Sequence, residues 1–103
     1  MAIPHMPAEH CTGVGIVMPL HNKRAFVGRA IESVLNQTCD NWQLMVVDDG
    51  STDGSAAIVE RFSDSRISLV RTPCSGPGAA RNIGLRATNA EWVALLDADD
   101  EWD

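Results

Sequence analysis

An apolar run passes directly into a polar turn at Leu44-Met45-Val46-Val47-Asp48-Asp49-Gly50-Ser51-Thr52-Asp53. Continuous apolar runs without alternation are typical of strands that are buried on both faces of a parallel sheet. Three more runs of this kind occur, at residues 14–18, 67–70 and 92–96. The chain is therefore predicted to contain four short buried strands.

Segments with helical spacing separate the four strands. Their apolar side chains recur about every four residues, and the segments are 26–35, 58–62 and 79–87. Helix starts are indicated by Asn22 and Ser51, whose side chains can accept hydrogen bonds from free helix amides, and by Ser75 before Gly76-Pro77. The alternation of strand and helix predicts right-handed crossovers.

These elements predict an α/β fold, a Rossmann-like parallel sheet with helices on both faces and the strand order 3-2-1-4. Residues 14–103 are expected to form this domain, which is half of a doubly wound fold, and residues 1–13 a flexible tail. The composition agrees, because 45% of residues are hydrophobic and 21% are charged, a balance typical of globular proteins.

Charge and cysteine content exclude several classes of function. The net charge is −6 and no basic run occurs, so nucleic acid is not an expected partner. No apolar run reaches the roughly 18 residues of a membrane span, although a longer parent protein could carry one. The three cysteines are widely spaced without a CxxC pair, which fits a reducing cytoplasm rather than a disulfide framework or zinc site.

Polar residues follow each predicted strand, and parallel strands bring their carboxyl ends to one edge of the sheet. In such sheets ligands bind where the strand order reverses, here between the first and fourth strands. Pro19, His21 and Asn22 follow the first strand and Asp97-Ala98-Asp99 follows the fourth. An acidic run is often a solvated tail, but its position at this edge favours a cation site.

The Asp97-Ala98-Asp99 spacing suits a nucleotide-diphosphate sugar, whose phosphates need a hard divalent cation bridged to carboxylate oxygen. Asp99 is the predicted metal ligand. Residues two apart in a strand face the same way, so Asp97 is expected to point into the same cleft. The triplet is weak evidence alone, because acidic loops produce it by chance.

Three more residues are candidates for nucleotide binding, each with a structural alternative. Asp49 is expected to accept a hydrogen bond from an N–H of a uracil-type base, while its neighbour Asp48 is as suited to capping a helix. The flat ring of His21 can stack on a base or remain an exposed loop residue. Arg81, early in the third helix, can attract phosphate or form a surface salt bridge.

Taken together, five motifs in order resemble the family 2 glycosyltransferases with the GT-A fold. The motifs are Val17-Met18-Pro19-Leu20-His21-Asn22, Ala30-Ile31-Glu32-Ser33-Val34-Leu35-Asn36-Gln37-Thr38, Val46-Val47-Asp48-Asp49-Gly50-Ser51-Thr52-Asp53, Gly78-Ala79-Ala80-Arg81-Asn82-Ile83-Gly84-Leu85 and Leu95-Leu96-Asp97-Ala98-Asp99-Asp100. The resemblance covers residues 14–103. It implies the nucleotide-binding half of a sugar transferase, with Pro19, Asn22 and Ala98 among its nucleotide-binding residues.

The resemblance also implies roles for individual residues. Asp49 matches the acid that recognises the base, and Asp97 lies near the ribose or diphosphate. Asp99 binds Mn²⁺ or Mg²⁺. His21 departs from the family's usual tyrosine at the position that contacts the uracil face. These enzymes invert the anomeric centre with a carboxylate base that lies beyond position 103, so no catalytic residue is predicted in this chain.

The resulting prediction is a donor-binding portion, inactive alone, that binds a UDP-sugar with a divalent metal. A noncatalytic interaction module with the same fold is one alternative. A phosphoacceptor domain is another, although such domains place their acidic pair after the first strand and need a late lysine, whereas the only lysine here is Lys23. An unpaired fourth strand would also favour a homo-oligomer.

Overall fold

The computed structural model describes residues 13–37, 41–88, 90 and 92–101. Strands and helices alternate along it as β1 (Val14–Leu20), α1 (Arg24–Leu35), β2 (Trp42–Asp49), α2 (Ser55–Glu60), β3 (Ile67–Thr72), α3 (Pro77–Ala87) and β4 (Trp92–Leu95). All four predicted strands and three predicted helices are present. The predicted tail, apart from Gly13, lies outside the described residues.

The four strands form one parallel sheet in the order β3-β2-β1-β4, as predicted. The register sets Leu20 opposite Asp48, and Asp49 opposite Thr72. β4 pairs with the first half of β1, from Val14 opposite Trp92 to Val17 opposite Leu95. The carboxyl ends of β1, β2 and β4 therefore meet at one edge of the sheet.

Helices cover both faces of the sheet because alternate residues of β1 point to opposite sides. Ile16 and Met18 are fully buried in a cluster with Ile31 of α1 and Val59 of α2. The other face of β1 packs against α3, where the side chain of Val17 meets Gly84. The predicted layered fold is confirmed.

The contact between α3 and β1 depends on small residues. A Cβ added at Gly84 would lie 2.3 Å from Cγ1 of Val17, and Ala80, one turn earlier, is fully buried. Only glycine permits this separation between helix and strand. The close approach holds the first turn of α3 beside the carboxyl ends of β1 and β2.

The predicted helix caps at Asn22 and Ser51 are wrong. Arg24, the first residue of α1, donates its N–H to Oδ2 of Asp53 (3.0 Å), and α2 begins only at Ser55. Asn22, with a φ of 50°, instead donates its N–H to Oγ of Ser51, and its Oδ1 accepts the N–H of Thr52. We call these contacts the cross-loop hydrogen bonds, because they join the β1–α1 loop to the β2–α2 loop.

None of the helices in the described part of the chain has the length and apolar character needed to cross a membrane. The longest, α1, has 12 residues.

Candidate functional site

A cleft of about 390 Å³ opens at the carboxyl ends of the strands. It is bounded by the ends of β1, β2 and β4 and by the first turns of α3. Its lining residues are Pro19, Leu20, His21, Lys23, Asp49, Cys74, Gly76, Pro77, Ala80, Arg81, Asp97, Ala98 and Asp99. This is the position where the strand order reverses, at which open α/β sheets bind their ligands.

The cleft gathers all but one of the residues predicted to bind nucleotide or metal. The exception is Asn22, which does not line it and whose Oδ1 is used in the cross-loop hydrogen bonds. A second cavity of about 360 Å³ lies at the opposite end of the strands and has no charged side chain among its described lining residues. The candidate site is therefore the first cavity, which is lined by charged side chains.

The carboxylate of Asp49 organises the wall of the cleft. Its Oδ1 accepts the Ser75 N–H (2.9 Å) and the Thr72 hydroxyl (2.8 Å), while the single proton of the Ser75 hydroxyl, 3.2 Å from Oδ1, is shared with the Pro73 carbonyl (2.6 Å). Its Oδ2 accepts the N–H of Gly76 (2.8 Å). Because one carboxylate oxygen can accept about two hydrogen bonds, Oδ1 is fully used while Oδ2 retains acceptor capacity. Asp49 therefore holds the loop between β3 and α3.

These donors act on the ionisation of Asp49. The hydrogen bond from the Ser75 amide, with smaller contributions from Thr72, Gly76 and the Ser75 hydroxyl, lowers the pKa of Asp49 below the ordinary carboxyl value, although burial acts in the opposite direction. The residue is only 3% exposed, and its donors stabilise the ionised carboxylate in place of water. Asp49 thus adds a negative charge to the cleft at neutral pH.

His21 has a defined ring orientation although the residue is exposed. Its Nδ1 lies 2.7 Å from the carbonyl oxygen of Asp49. A carbonyl can only accept, so Nδ1 carries the proton and donates. Nε2 lies 3.5 Å from the side-chain nitrogen of Asn22. Asp49 therefore holds the His21 ring at the mouth of the cleft through its carbonyl, while its carboxylate organises the wall of the cleft.

Three carboxylates converge at the end of β4. Asp97, Asp99 and Asp100 each contribute an oxygen, and these oxygens lie within 4.8 Å of one another. Strand alternation is not the cause, because β4 ends at Leu95 and a turn follows in which the Asp100 N–H donates to the Asp97 carbonyl (3.0 Å). The turn adds Asp100 to the predicted pair. We call these three residues the acidic cluster.

Two basic residues also line the cleft. Lys23 Nζ lies 3.6 Å from Oδ2 of Asp99. Arg81 is exposed in the second turn of α3 and forms no salt bridge with any residue that the structure describes. Its predicted structural alternative, a surface salt bridge, is therefore absent from this part of the chain. An anion entering the cleft would meet positive charge from both residues.

Sequence reasoning missed Lys23, Thr72 and Ser75 as site residues. Lys23 directly follows the polar residues after β1, and this position in the sequence could have identified it as a site residue. Thr72, at the end of β3, and Ser75, in the loop that follows, reach Asp49 from more than 20 positions away in the chain. No local pattern indicates that contact.

Comparison with known proteins shows what the chain is similar to. The model of the family described as Glycosyl transferase family 2 matches residues 15–103. A glucosyltransferase of Escherichia coli, named UDP-Glc:alpha-D-GlcNAc-diphosphoundecaprenol beta-1,3-glucosyltransferase WfgD, is 42% identical over 90 residues, 86% of this chain and 36% of that protein. An uncharacterized glycosyltransferase of Haemophilus influenzae is 41% identical over 90 residues, 84% and 36% of the two chains. The chain thus spans about a third of these relatives.

The solved structures to which this chain is similar include glycosyltransferases, as do its sequence relatives. A mannosyltransferase of Pyrobaculum calidifontis, in complex with GDP-Man and Mn²⁺, superposes with a TM-score of 0.81 at 28% identity, covering 87% of this chain and 28% of that one. S. aureus TarS in complex with UDP-GlcNAc superposes with a TM-score of 0.78 at 27% identity, covering 84% and 26%. Both similarities again involve only part of the other protein.

Proposed function

Because the chain belongs to glycosyl transferase family 2, we propose that it supplies the donor-binding half of an inverting glycosyltransferase. Its ligand is a nucleotide-diphosphate sugar bound with Mn²⁺ or Mg²⁺. The observation that carries the proposal is that Asp97 and Asp99 of the acidic cluster line one cleft together with Arg81 and the start of α3. A diphosphate in this cleft would meet positive charge from Arg81 and from a cation bound to the acidic cluster.

The donor set of the acidic cluster fits a divalent cation. Carboxylate oxygens are the ligands that Mg²⁺ and Mn²⁺ prefer, and three of them within 4.8 Å of one another are available. Asp97 and Asp99 would hold the cation, with Asp100 beside them. The positive charge supplied there would stabilise a departing nucleoside diphosphate.

The β1 side of the cleft is proposed to bind the nucleoside. The oriented ring of His21 offers a face for stacking on the base. Oδ2 of Asp49, which accepts only one hydrogen bond, can accept another from a base N–H. Uracil is the proposed base because it offers such an N–H, and because a relative and a structural neighbour are named with UDP-sugars.

Arg81 and the amides at the start of α3 are proposed to bind the phosphates. Guanidinium groups bind phosphate through paired hydrogen bonds, and helix N-termini favour negative charge. Pro19 and Ala98 line the same cleft. Asn22 is proposed to act through the cross-loop hydrogen bonds that fix the position of His21.

Calorimetric titration with UDP, with Mn²⁺ or with excess EDTA, tests the proposal. We expect chelation to weaken UDP binding at least about tenfold, roughly 1.4 kcal/mol. Asp99→Asn should remove most of the metal-dependent part. Glu101→Gln is the matched control, because Glu101 is an exposed acid outside the acidic cluster. Equal UDP binding in EDTA would show that the metal role is wrong, and no UDP binding would favour the noncatalytic module.

We expect the 103-residue chain alone to give no transfer product with UDP-sugars. The proposed ligands account for donor binding, and the family's carboxylate base is expected beyond position 103. Product assays with several donors and candidate acceptors should stay at background. Turnover by the purified chain would place the base among residues 1–103.

The phosphoacceptor alternative is not favoured. β1 ends at Leu20 and is followed by His21 and Asn22, so no acidic pair stands after the first strand.

A further inference from the structure

Lys23 connects the starts of α1 and α2 to the acidic cluster. Its N–H donates to Oγ of Ser55 (3.1 Å), and its carbonyl accepts the N–H groups of Phe26 and Val27 in the first turn of α1. The backbone of Lys23 is therefore anchored at both its N–H and its carbonyl. The side chain is 42% exposed and reaches across the cleft to Asp99.

The Lys23–Asp99 pair is weak enough to exchange partners. Exposed ion pairs contribute little to stability, typically at most a factor of about five in a binding equilibrium. The lysine ammonium lies on a flexible four-carbon stem and can reorient without backbone movement. A cation bound to the acidic cluster repels the ammonium and competes for the same Asp99 oxygen.

We propose that Lys23 is the resident counter-ion of the acidic cluster and is displaced when a divalent cation binds. Once displaced, its ammonium turns to the diphosphate in the same cleft. The inference rests on the proposed function, since it assumes that the cleft binds metal and nucleoside diphosphate.

The displacement of Lys23 predicts whether this residue weakens or strengthens each binding step. Without nucleotide, Lys23 opposes the cation, because the ion pair with Asp99 has to break. With nucleotide, Lys23 favours the assembled site, because the released ammonium finds an anionic partner. Metal and nucleotide therefore assist each other's binding, and by linkage the assistance is the same in both directions.

Mn²⁺ titration with and without UDP, followed by calorimetry or by the spin-resonance signal of free Mn²⁺, tests this proposal. Lys23→Met keeps the stem and removes the charge. Arg29→Met is the matched control, because it removes a charge whose partner is Glu101, also at 3.6 Å, outside the acidic cluster. Circular dichroism establishes that both variants fold.

We expect Lys23→Met to bind Mn²⁺ alone more tightly, by up to about fivefold, and Arg29→Met to change it less than about twofold. With UDP present, this tighter Mn²⁺ binding should disappear, so that the factor by which UDP tightens Mn²⁺ binding falls by up to about fivefold. Lys23→Arg should behave as the wild type. High salt should reduce the difference between the variants, since the pair is exposed.

The outcomes separate this proposal from the function on which it rests. If Lys23→Met and Arg29→Met shift Mn²⁺ binding equally, or if Lys23→Met weakens Mn²⁺ binding alone, Lys23 is not the counter-ion although the cleft binds metal. If the wild type binds no Mn²⁺ with or without UDP, both the metal role and this proposal are wrong.

Discussion

At the scale of single residues, Asp49 connects the stability of the fold to the shape of the cleft. An asparagine at this position presents an NH₂ group towards the amide of Ser75 or Gly76, so one partly buried donor loses its acceptor. We expect Asp49→Asn to lower the free energy of unfolding by about 1–3 kcal/mol, measured by urea denaturation.

The neighbouring residue offers a control for that substitution. Asp48 is equally buried, but among the described residues only the Ser51 N–H donates to its carboxylate, at Oδ1 (3.2 Å). Asp48→Asn keeps that acceptor, so its loss of stability should be smaller. A loss at Asp48 equal to that at Asp49 would contradict the loop-holding role of Asp49.

The lowered pKa of Asp49 predicts a dependence of stability on pH. A carboxyl whose pKa is lower in the folded state contributes stability above its unfolded value of 3.8, and this stability is lost as pH falls through the folded value. Asp49→Asn should therefore lose less stability than the wild type as the pH falls below about 5. Denaturation midpoints at several pH values measure the two slopes.

Some acid sensitivity should remain in that variant. A hydrogen bond from the Arg66 side chain is the main reason that the pKa of Asp64 is lowered to about 2. A hydrogen bond from the Ser55 hydroxyl likewise lowers the pKa of Asp53. Identical slopes for wild type and Asp49→Asn would show that the Asp49 carboxylate does not contribute.

Residue positions at the cleft were predictable where strand order alone determines them. Asp49 lies at the end of β2, and Asp97 and Asp99 follow β4, so their meeting at one edge of a parallel sheet requires no knowledge of side-chain contacts. The hydrogen-bond partner of the Asn22 side chain was not predictable, because the N–H that donates to it belongs to Thr52, 30 positions later. Long-range side-chain contacts of this kind leave no periodic pattern in the sequence.

At the scale of elements, the close approach of α3 to β1 makes a sharp prediction. Alanine at Gly84 would collide with Val17, and overpacking of this kind costs about 1–3 kcal/mol. Alanine at Gly78 of the same helix meets nothing within 4 Å, and it should be neutral or stabilising by up to about 1 kcal/mol. Thermal denaturation of the two variants gives the comparison, and equal effects would contradict the packing explanation.

The elements themselves were predicted well because their apolar runs are continuous and their separating helices periodic. The boundaries were less accurate. β2 was predicted to end at Val47, where hydrophobicity ends, but it continues to Asp49 because the ladder with β3 continues through Thr72. Backbone pairing determines where a strand ends, and the end of an apolar run in the sequence predicts that position only approximately.

At the scale of the whole molecule, β4 is an edge of the described sheet. Val93 and Leu95 are 42% and 44% exposed on its α3 side, whereas Leu96, also expected on the exposed edge, is fully buried. One face of the predicted apolar edge is therefore open and the other is covered. Unpaired edges with exposed apolar side chains favour pairing with another chain.

We expect the chain to self-associate through this edge, with a two-fold dimer as the simplest product. Leu95→Lys should shift light scattering across a concentration series towards the monomer. Phe26→Lys is the matched control, because Phe26 is similarly exposed, at 48%, but lies on α1. A monomeric wild type at the highest concentration would contradict the prediction.

The cross-loop hydrogen bonds also determine how the cleft mouth exchanges its amide protons with solvent. The N–H groups of Asn22 and Arg24 are bonded to side chains of the β2–α2 loop, and the N–H of Thr52 is bonded to Asn22. Neither loop can open without releasing amides of the other. Amides on both loops should therefore exchange deuterium at a common rate, as one cooperative unit, and a bound nucleotide that rests on His21 should slow both loops together.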